Sequence, residues 1–550
     1  MDPRRLRIPI LLGLLLDGVA SYAQPNRIVG SIDGSQRVAL PGNAPFQGQP
    51  QYDSGPVDPS FPMTYVTLST KPTAGQQKAL AQLLADQQDR SSAKYHQWLT
   101  PEQYADSFGL NAADMEKIAN WLQSEGFTIR YKARGRNWIA FGGTAGQIAK
   151  TFGTEIHQYV VDGERHFANA TDPSIPGALA GVVTGLRGLN DFHPKPSGSR
   201  HGAGRLGPAY TGTSNFVNYL APGDIATIYD LGPLYNEGID GAGQVVVVVG
   251  QSDIYAGDIA AFRSAFGLPA QAQQYGPTCS VGTLCMILTG DDPGYGVLND
   301  TLEEADLDLE WTGAVARSAT ITYAYSTDAF TSAYYAIDNR LGPIISMSYG
   351  YCEADYQKYV GSLDYAQSEA QKANSVGITW LASSGDTGAG GCDSTSPPSS
   401  QAARGLAVEA PASIPEVTAV GGTEFNENGG SYWNYFSGAN GGTAISYIPE
   451  MAWNDTPDGT GLGSILAASG GGVSAYFAAP AWQAGLGFPD GGGRDVPDVA
   501  LSASPDHDPY IICYNNASCF DSFEDPNNSI GGTSASTPVF AGILALLNQY

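Results

Sequence analysis

The sequence predicts an α/β fold in two parts, in which a smaller α/β unit precedes a larger domain built on a doubly wound parallel sheet. From about residue 221, short apolar runs such as "GQVVVVVG", "ATITYAYS" and "GITWLASSG" alternate with helical patterns such as "SLDYAQSEAQKA". Continuous apolar strands separated by helices are typical of a parallel sheet covered on both faces. The length of 550 residues leaves room for two domains and a leader. In such a sheet the active site forms at the carboxyl ends of the strands.

The first part, predicted over residues 60–195, has its own helix and hairpin signals. Thr73 followed by Gln76, and Thr100 followed by Gln103, are capping boxes that predict helix starts. The alternating stretch "FTIRYKARGRNWIAFGG" predicts a β-hairpin that turns at Gly135. The Gly-, Ser- and Arg-rich stretch that follows predicts a flexible, cleavable linker over residues 196–220.

The first 23 residues predict a secretory signal peptide. A basic start that ends at Arg7 leads into an apolar stretch from Ile8 and a small-residue exit at Ser21–Ala23. No other segment reaches the roughly 18 apolar residues of a membrane-spanning helix. The sequence therefore predicts a secreted, extracellular protein without a membrane span.

The charge of the chain is strongly acidic and unevenly distributed. The formal net charge of −27 excludes a nucleic-acid or anionic-membrane partner as the main binding target. Residues 221–550 hold 37 of the 54 Asp and Glu residues but only 7 of the 27 Lys and Arg residues. The mildly basic first part is thus predicted to complement the acidic second part, and acid would weaken this attraction by neutralising carboxylates.

Six cysteines fit an oxidising compartment. All lie in the second part of the chain, at Cys279, Cys285, Cys352, Cys392, Cys513 and Cys519. Six cysteines allow 15 pairings, which the sequence does not resolve. Proximity along the chain suggests Cys279–Cys285 and Cys513–Cys519, which leaves Cys352–Cys392. A zinc site is the rival interpretation, but the CxxC spacing typical of such sites is missing.

The stretch "GGTSASTPVF" places a serine, Ser534, in a Gly-flanked turn that leads into an apolar helix, a common setting for a nucleophile. A serine hydroxyl needs a general base, which is usually histidine. Five of the six histidines precede residue 221. The sixth, His507, lies between Asp506 and Asp508 in a polar context that indicates a solvated loop, and no His-Gly-Thr motif is present.

Carboxylates are the remaining candidates for the base, and "TLEEADLDLEWTGAVA" stands out among them. Read as a helix, this stretch brings Glu304 and Asp308 onto one face at i and i+4. Two carboxyls at that spacing would share a proton if they faced a pocket. The alternative is a solvated acidic helix face, to which Glu303, Asp306 and Glu310 would also belong.

A third carboxylate, Asp386, follows a predicted strand in the Gly-rich turn "WLASSGDTGAGG". Aspartic proteases also carry Asp-Thr-Gly turns, but they need two of them in comparable contexts. The other candidate, Asp53-Ser54-Gly55, lies in the first part without flanking strands. The sequence therefore favours a separate role for Asp386.

Together these motifs resemble the sedolisin (serine-carboxyl, S53-type) peptidases, whose fold is subtilisin-like. The stretches "SMSYG", "SGGGVSAYFAAPAWQ" and "RDVPDVALSASP" add to the resemblance. It implies that residues 60–195 are a pro-kumamolisin-like, ferredoxin-like activation prodomain and that 221–550 are the catalytic domain. It also implies site roles, with Ser534 as nucleophile, Glu304 as general base, Asp308 orienting the base and Asp386 at the oxyanion hole.

The resemblance implies a secreted, acid-active serine-type endopeptidase that is made as a zymogen. Protein and peptide substrates, the prodomain as an intramolecular inhibitor and chaperone, and a monomeric state are expected. The motifs do not separate endopeptidase from tripeptidyl-peptidase action. An inactive secreted binding or structural protein that retains the fold is the alternative function.

Two departures from the family pattern are visible. Tyr349 stands in "SMSYG" where the family often has tryptophan. The chain also ends at Tyr550, sixteen residues after Ser534, whereas the resemblance implies further core segments, so 221–550 are expected to be a C-terminally incomplete catalytic domain. Calcium is expected from the resemblance, but its ligands would lie beyond Tyr550, so no metal ligand is assigned in this chain. No other cofactor is expected.

Overall fold

The protein is described here from a computed structural model. It covers residues 24–161, 163–196, 199–200, 218–296, 300–356, 362–393, 401–456, 465–485, 487, 492–515, 519 and 529–550. The predicted signal peptide and most of the predicted linker lie outside these residues. Within the described ranges, none of the helices combines the length and the apolar character that crossing a membrane requires.

The first part is a small α/β unit around an antiparallel four-stranded sheet. Its elements are β1 (Arg37–Ala39), β2 (Asp53–Pro56), β3 (Pro62–Thr70), α1 (Ala74–Gln88), α2 (Pro101–Phe108), α3 (Ala112–Ser124), β4 (Thr128–Lys132), β5 (Trp138–Thr144), α4 (Ala145–Phe152), β6 (Ile156–Val161), β7 (Glu164–Asn169), β8 (Ser174–Pro176) and β9 (Val183–Arg187). The main sheet has the order β4-β5-β3-β9, and its pairs are all antiparallel. Three helices connect β3 to β4, and α4 follows β5.

The local signals read from the sequence are confirmed in this unit. Helix α1 begins with a capping box between Thr73 and Gln76, and α2 begins with one between Thr100 and Gln103. The predicted hairpin is the antiparallel pair β4–β5. In each box the side chains satisfy backbone N–H groups that the first helical turn leaves unpaired.

Two short strands, β10 (Lys195–Pro196) and β11 (Ser199–Arg200), continue the chain towards the second part. Both pair with strands of the second part rather than with each other. Strand β10 pairs with β17 (Tyr349–Cys352), and β11 pairs with β26 (Ser529–Gly531).

The second part is a large parallel-sheet domain, as predicted. Its further elements are α5 (Pro222–Ile228), α6 (Gly232–Asn236), β12 (Val245–Gly250), α7 (Ala256–Ala265), β13 (Gln273–Tyr275), β14 (Leu284–Leu288), α8 (Thr301–Val315), β15 (Thr320–Tyr325), α9 (Ala329–Asn339), β16 (Ile344–Met347), α10 (Glu353–Tyr356), α11 (Ser362–Ser375), β18 (Thr379–Ser383), β19 (Glu409–Ala410), β20 (Thr418–Phe425), β21 (Glu450–Ala452), β22 (Gly472–Ala478), β23 (Gly493–Val496), β24 (Val499–Ser502), β25 (Tyr510–Ile511) and α12 (Thr533–Gln549).

The main sheet of this domain has nine strands in the order β13-β14-β15-β12-β16-β18-β20-β21, and β24 also pairs with β20. All of its pairs are parallel except β20–β21. Val246–Val249 of β12 are completely buried at its centre, because both faces of the strand are covered. Helix α8 is buried over its entire length.

The six cysteines form three disulfides in the pairing that their proximity suggested. Cys279 is joined to Cys285, Cys352 to Cys392, and Cys513 to Cys519. The Cys352–Cys392 bond joins the end of β17 to the loop that follows β18. It therefore ties together two segments close to the carboxyl ends of the sheet strands.

The two parts meet in a polar, buried interface. Asp338 on α9 accepts hydrogen bonds from the Tyr131 hydroxyl (2.7 Å) and from the backbone N–H groups of Arg134 (2.7 Å) and Gly135 (2.9 Å). Lys372 on α11 lies 2.6 Å from Asp338 and is itself completely buried. The hairpin turn of the first part is thus held by a carboxylate of the second.

A second contact across the interface is an ion pair between Arg187 at the end of β9 and Asp328 before α9, with an N–O distance of 2.7 Å. The Arg187 guanidinium also donates to the Tyr356 hydroxyl at 2.6 Å. Burial alone would raise the pKa of Asp328, but the Arg187 guanidinium lowers it overall.

Candidate active site

Ser534 lies in the first turn of α12, directly after the short strand β26. Gly532, between the two, has φ of +110°, a backbone conformation that residues with a side chain rarely adopt. Ser534 is completely buried, and its hydroxyl makes no hydrogen bond of standard geometry with any described residue. A buried hydroxyl without such a bond is unusual and indicates a functional position.

Helix α8 carries Glu304 and Asp308 one turn apart and packs directly against α12. A Cβ at Gly542 of α12 would lie 2.6 Å from the Cβ of Val315, so the two helices approach closely. The Thr312 hydroxyl donates to the Pro538 carbonyl at 3.4 Å. This contact fixes the helix of the carboxylates relative to the helix of the serine.

The Glu304 carboxyl faces the other predicted site residues. Burial raises the pKa of Glu304 well above its usual value, and repulsion from Asp308 and Asp386 adds to the increase. The Ser534 hydroxyl acts in the opposite direction and lowers the pKa of Glu304, so it lies close to this carboxyl although the pair does not reach hydrogen-bond geometry.

Asp308 is held by Ser348, which precedes β17. The Ser348 hydroxyl donates to Asp308 Oδ1 at 2.7 Å, while Oδ2 has no hydrogen-bond partner among the described residues. Burial raises the pKa of Asp308 well above its usual value, and the Ser348 bond partly opposes this. Burial therefore favours the protonated form of both carboxyls, Asp308 and Glu304.

Asp386 lies in the turn after β18 and is bound asymmetrically. Its Oδ1 accepts hydrogen bonds from the backbone N–H and the hydroxyl of Thr533, both at 2.8 Å. Its Oδ2 is buried and has no hydrogen-bond partner among the described residues. Burial raises the pKa of Asp386 to about 7, against the two Thr533 bonds, which lower it. In the neutral acid, Oδ1 can serve as the accepting carbonyl while Oδ2–H is available to donate.

The structure thus brings Ser534, Glu304, Asp308 and Asp386 together, since each of the other three shifts the pKa of Glu304. The alternative of a solvated acidic helix face is wrong. Glu303, Asp306 and Glu310 are each 1% exposed or less, on a helix with no exposed side.

The structure gives His507 a different role from that of a base. Its Nδ1 lies 3.0 Å from Asp508 Oδ1, and the hydrogen bond with Asp508 raises the pKa of His507 to about 9. The His507 side chain is 43% exposed, whereas Asp508 is buried, so the expected solvated loop is only partly solvated. Among the described residues, no hydrogen bond or ion pair connects a histidine to Ser534.

The aspartic-protease interpretation of Asp53 is not supported by its placement. Asp53 begins β2 in the first part of the chain and pairs with His157, whose Nδ1 lies 2.9 Å from Asp53 Oδ2. Asp386 is bound to Thr533 instead.

Two residues of the site escaped the sequence analysis. Thr533, adjacent to the nucleophile, clamps Asp386 through its backbone and its side chain. Glu409, on β19, lies close enough for Asp386 to raise its pKa, but it is 23 residues further along the chain and carries no motif. The Gly-Thr-Ser turn could have drawn attention to Thr533, whereas only the fold reveals Glu409.

The candidate metal-binding group among the described residues does not fit a calcium ion. Within the part of the chain that the structure describes, one group of three candidate metal ligands lies close enough together, at Cys352, Asp355 and Cys392. Both of its sulfurs are joined in a disulfide. Ca²⁺ takes six to eight oxygen ligands, so this group offers no calcium site and the expectation of calcium stays a prediction.

The chain between the two parts runs along the site. Pro196 lies opposite Tyr349 and Lys195 opposite Gly350, while Ser199 and Arg200 pair with Gly531 and Ile530. Strand β17 follows Ser348, and β26 ends three residues before Ser534. The backbone before and after residues 197–198 is therefore bound to two walls of the site as an added strand.

Comparisons with known proteins find matches for both parts of the chain. Residues 52–192 match the profile of the "Pro-kumamolisin, activation domain" family, and residues 311–550 match that of the "Subtilase family". Sedolisin of Pseudomonas sp. (strain 101) is 28% identical over 485 residues, which are 86% of this chain and 74% of the relative. Kumamolisin of Bacillus sp. (strain MN-32) is 26% identical over 531 residues, covering 94% and 85%.

Tripeptidyl-peptidase 1 of Homo sapiens is 26% identical over 498 residues, covering 86% of this chain and 77% of the relative. A solved structure of Pseudomonas sedolisin (serine-carboxyl proteinase), complexed with two molecules of pseudo-iodotyrostatin, aligns with 60% of this chain and 81% of that chain, with 26% identity and a TM-score of 0.46.

A subtilase-type domain behind an activation domain, with relatives that are serine-carboxyl peptidases, defines an enzyme of that class. The chain thus combines a pro-kumamolisin-type activation domain with a subtilase-type domain, and it is similar to sedolisin and kumamolisin.

Proposed function

We propose that this enzyme is a secreted, acid-active endopeptidase that is made as a zymogen and uses Ser534, Glu304, Asp308 and Asp386 to cleave peptide bonds. The observation that carries the proposal is the buried Ser534 hydroxyl, which faces a carboxyl group on α8. A glutamate base keeps useful basicity at a pH where histidine would be fully protonated.

In the proposed mechanism the Ser534 oxygen attacks the peptide carbonyl while Glu304 takes its proton. Glu304 then returns this proton to the leaving amine, and water hydrolyses the acyl-enzyme with the same proton transfers in sequence. Asp308 orients Glu304, as the third member of a histidine triad orients its histidine. Ser348 in turn fixes Asp308.

Asp386 supplies the oxyanion contact. Its unpartnered Oδ2, when protonated, donates a hydrogen bond to the oxygen that becomes negatively charged. Asp386 must be neutral while Glu304 is charged, so activity requires an intermediate protonation state of the whole set. The pKa increase at Asp386 favours this state. The pKa of Glu304 is raised too, which opposes it, because Glu304 is buried and because Asp308 and Asp386 repel it. We therefore expect a bell-shaped pH profile of activity, whose two limbs are set by the coupled carboxyls as a group.

The first part would act as an intramolecular inhibitor, since the chain that follows it lies along the site. We expect the first cut in this linker, with the new N-terminus between about Gly198 and Asn218. Mass spectrometry of acid-treated protein should find the new N-terminus there. A new N-terminus inside α2 or α3 would contradict this domain arrangement.

The test of the proposed mechanism compares Glu304→Gln and Ser534→Ala with the native protein. Nucleophile and base act as one unit, so each variant should lose nearly all activity and fail to remove its own first part. Peptide turnover and gel mobility after acid treatment measure both effects. Asp308→Asn should be impaired to a smaller degree, because Asp308 transfers no proton.

A serine-directed phosphonate at acid pH separates the enzyme from an inactive protein of the same fold. Stoichiometric labelling of Ser534 in the processed protein, lost in Ser534→Ala, is the expected result. Near-native turnover by Glu304→Gln would refute the assignment of the base, and a native protein that is neither labelled nor active would favour the inactive alternative.

A further inference from the structure

Arg187 of the first part ends in a site that is built by the second part. Its Nη2 lies 2.7 Å from Asp328 Oδ2, and its Nη1 donates to the Tyr356 hydroxyl at 2.6 Å. The guanidinium carbon also lies 5.3 Å from the ring centre of Phe330 and 5.5 Å from that of Tyr334. One guanidinium is thus held by a carboxylate, a phenol and two aromatic rings. These four residues, Asp328, Phe330, Tyr334 and Tyr356, form the guanidinium receptor.

Contacts within the second part hold the guanidinium receptor in shape. The backbone N–H of Phe330 donates to Asp328 Oδ1 at 3.0 Å, and the Thr331 hydroxyl donates to Oδ2 at 3.2 Å. The Phe330 and Tyr356 rings lie 5.5 Å apart, centre to centre, in the same buried hydrophobic core as Tyr334. Because none of these contacts involves Arg187, we expect the receptor to keep its shape after the first part is removed.

Processing empties the guanidinium receptor. Arg187 precedes the proposed processing region, which starts at about Gly198, so its side chain leaves with the first part. Asp328 then loses the guanidinium, and the aromatic rings lose the flat group that lies against them. A carboxylate beside aromatic faces suits a guanidinium better than an ammonium group, because a planar fork can form hydrogen bonds and stack at the same time.

The guanidinium receptor adjoins the strand that binds the linker. Tyr351 of β17 stacks on Phe330 and on Tyr356, with ring centres 5.6 Å and 4.9 Å apart. Its hydroxyl donates to the Phe192 carbonyl at 2.9 Å, shortly before β10 begins at Lys195. Since β10 and β17 are antiparallel, a chain bound along β17 leads towards the receptor in its N-terminal direction. The residues of a substrate that precede the bond to be cut would therefore lead to the receptor.

We propose that the processed enzyme uses the guanidinium receptor as an exosite, which binds an arginine side chain of the polypeptide substrate on the N-terminal side of the bond to be cut. This inference rests on the proposed peptidase function and names a class of substrate for it. The substrate arginine takes the place of Arg187, bonds to Asp328 and Tyr356, and lies against the two rings. Lysine has a single ammonium group, which cannot form both bonds and stack at once.

The experiment compares two peptides with the sequence of residues 185–218 of this chain, one with arginine and one with citrulline at position 187. Citrulline keeps the shape of arginine without its charge. The processed enzyme is first freed of the first part by gel filtration in acid, because the released Arg187 would compete for the receptor. At about pH 4.5, where an unperturbed aspartate is mostly ionised, kcat/KM should be about tenfold higher for the arginine peptide.

The difference between the two peptides should lie in KM. An exosite far from the reacting bond holds the substrate equally well before and during the reaction, so kcat should be the same for both. Equal kcat/KM values for the two peptides overturn the proposal. A difference that lies in kcat alone overturns it as well, because it would place the effect at the reacting bond.

Asp328→Asn tests whether the guanidinium receptor is the source of the preference. Asparagine keeps an acceptor for the N–H of Phe330 but removes the charge, so the ratio of the two kcat/KM values should fall to about one. Asp291→Asn is the matched control, because Asp291 lines the same cleft and contacts the first part through the Thr64 hydroxyl, outside the receptor. It should leave the ratio unchanged. An equal loss in both variants would assign the preference to the overall negative charge and overturn the proposed site.

A binding measurement decides the question without turnover. Fluorescence anisotropy with labelled peptides of residues 185–196, which end before the processing region, should give a Kd about tenfold lower with arginine than with citrulline at position 187. Equal affinities overturn the exosite even if Asp328→Asn does not fold. Failure of the native enzyme to cleave either of the longer peptides would instead count against the proposed function.

Discussion

At the scale of single residues, the binding of Asp386 determines what its carboxyl can do. Both hydrogen bonds from Thr533 end on Oδ1, and within the part of the chain that the structure describes Oδ2 has no partner. A carboxylate would leave a buried negative oxygen unsatisfied, whereas the neutral acid has a donor to offer. The two oxygens thus have separate roles, one structural and one directed at substrate.

Replacing Asp386 with asparagine should shift the pH profile. Since the pKa of Asp386 is raised to about 7, its donor proton is lost as the pH rises through that range. Asparagine never ionises, so Asp386→Asn should be slower overall but should keep its remaining activity to higher pH. The measurement is kcat/KM between pH 3 and 8.

Asp386→Ala provides the comparison, because it removes the donor altogether and should cost about 10²–10³ in rate. The asparagine variant should lose less than this. An alkaline limb that stays in place in Asp386→Asn would assign this limb to another group and remove Asp386 from the oxyanion role.

The sequence was sufficient to predict residues whose chemistry is carried by a local motif. Ser534 and Asp386 lie in Gly-rich turns, and Glu304 and Asp308 lie one helical turn apart. Glu409 has no such motif, because its closeness to Asp386 depends on how β19 pairs with β17. Non-local pairing of this kind is what one sequence does not reveal.

At the scale of elements, helix α8 is the most unusual part of the molecule. The i, i+4 spacing in its sequence predicted a helix with Glu304 and Asp308 on one face. It did not predict that every face of the helix would be buried. Periodicity reveals burial only when a polar side remains exposed, and α8 has none. Four of its carboxyls, at Glu304, Asp306, Asp308 and Glu310, have pKa values well above the usual range, chiefly because of burial.

These carboxyls should make the fold less stable towards neutral pH. A carboxyl whose pKa is raised by folding contributes stability that is fully present below its unfolded value, about 4, and is lost as the pH rises through the folded value. Each group removes up to about 1.4 kcal/mol per pH unit in that window. The midpoint of thermal unfolding should therefore fall from pH 4 to pH 5.5 and again from pH 5.5 to pH 7.

Asp306→Asn isolates this effect, because Asp306 takes no part in the proposed chemistry and asparagine cannot ionise. Its midpoint should fall less steeply than that of the native protein over the same range. Equal slopes in the two proteins would show that Asp306 is not among the groups responsible. Asp328 and Asp338, whose pKa values are lowered, work in the opposite sense and lose stability in strong acid.

The contact between α8 and α12 allows a second prediction at this scale. In Gly542→Ala the new Cβ would lie 2.6 Å from Val315 Cβ, so the helices must separate. Overpacking of this kind costs about 1–3 kcal/mol, and it should also lower kcat because Ser534 moves away from Glu304. Gly232→Ala is the control, since nothing lies within 4 Å of its Cβ position. Thermal melting and kcat measure the two effects, and a native-like kcat in Gly542→Ala would show that the helix spacing is not critical.

At the scale of the whole molecule, the charged contacts described between the first and second parts are a few individual pairs rather than extended surfaces. The composition predicted attraction between a basic and an acidic part that acid would weaken. The structure shows such an attraction in the Arg187–Asp328 pair, while Asp338 holds the hairpin turn through backbone N–H groups. Burial alone would raise the pKa of Asp338, but Lys372 and the hairpin donors lower it. Neutralising this carboxyl therefore needs stronger acid than an unperturbed aspartate would.

Tyr131→Phe should accelerate acid processing. It removes the hydroxyl that donates to Asp338 at 2.7 Å, a bond that crosses the interface and ends on a charged group. Such bonds are worth about 1.5–3 kcal/mol, so processing at a fixed acid pH should be roughly tenfold faster or more. The appearance of the shortened chain over time gives the rate.

This variant contains its own control, because Tyr131 is absent from the processed enzyme. The processed form should have native kcat/KM and native thermal stability. Unchanged processing kinetics would mean that release of the first part does not depend on this contact.

The pairing of β10 with β17 and of β11 with β26 has a consequence for what the enzyme can digest. Once the linker leaves, each wall keeps a row of backbone N–H and C=O groups with no strand beside it. A polypeptide can satisfy those groups only when it is stretched out and free of its own hydrogen bonds. Only an extended segment can therefore enter the cleft, whatever its sequence. We expect folded globular proteins to resist cleavage until acid has partly unfolded them. The acid that is proposed to activate the enzyme would thus also make its substrates accessible.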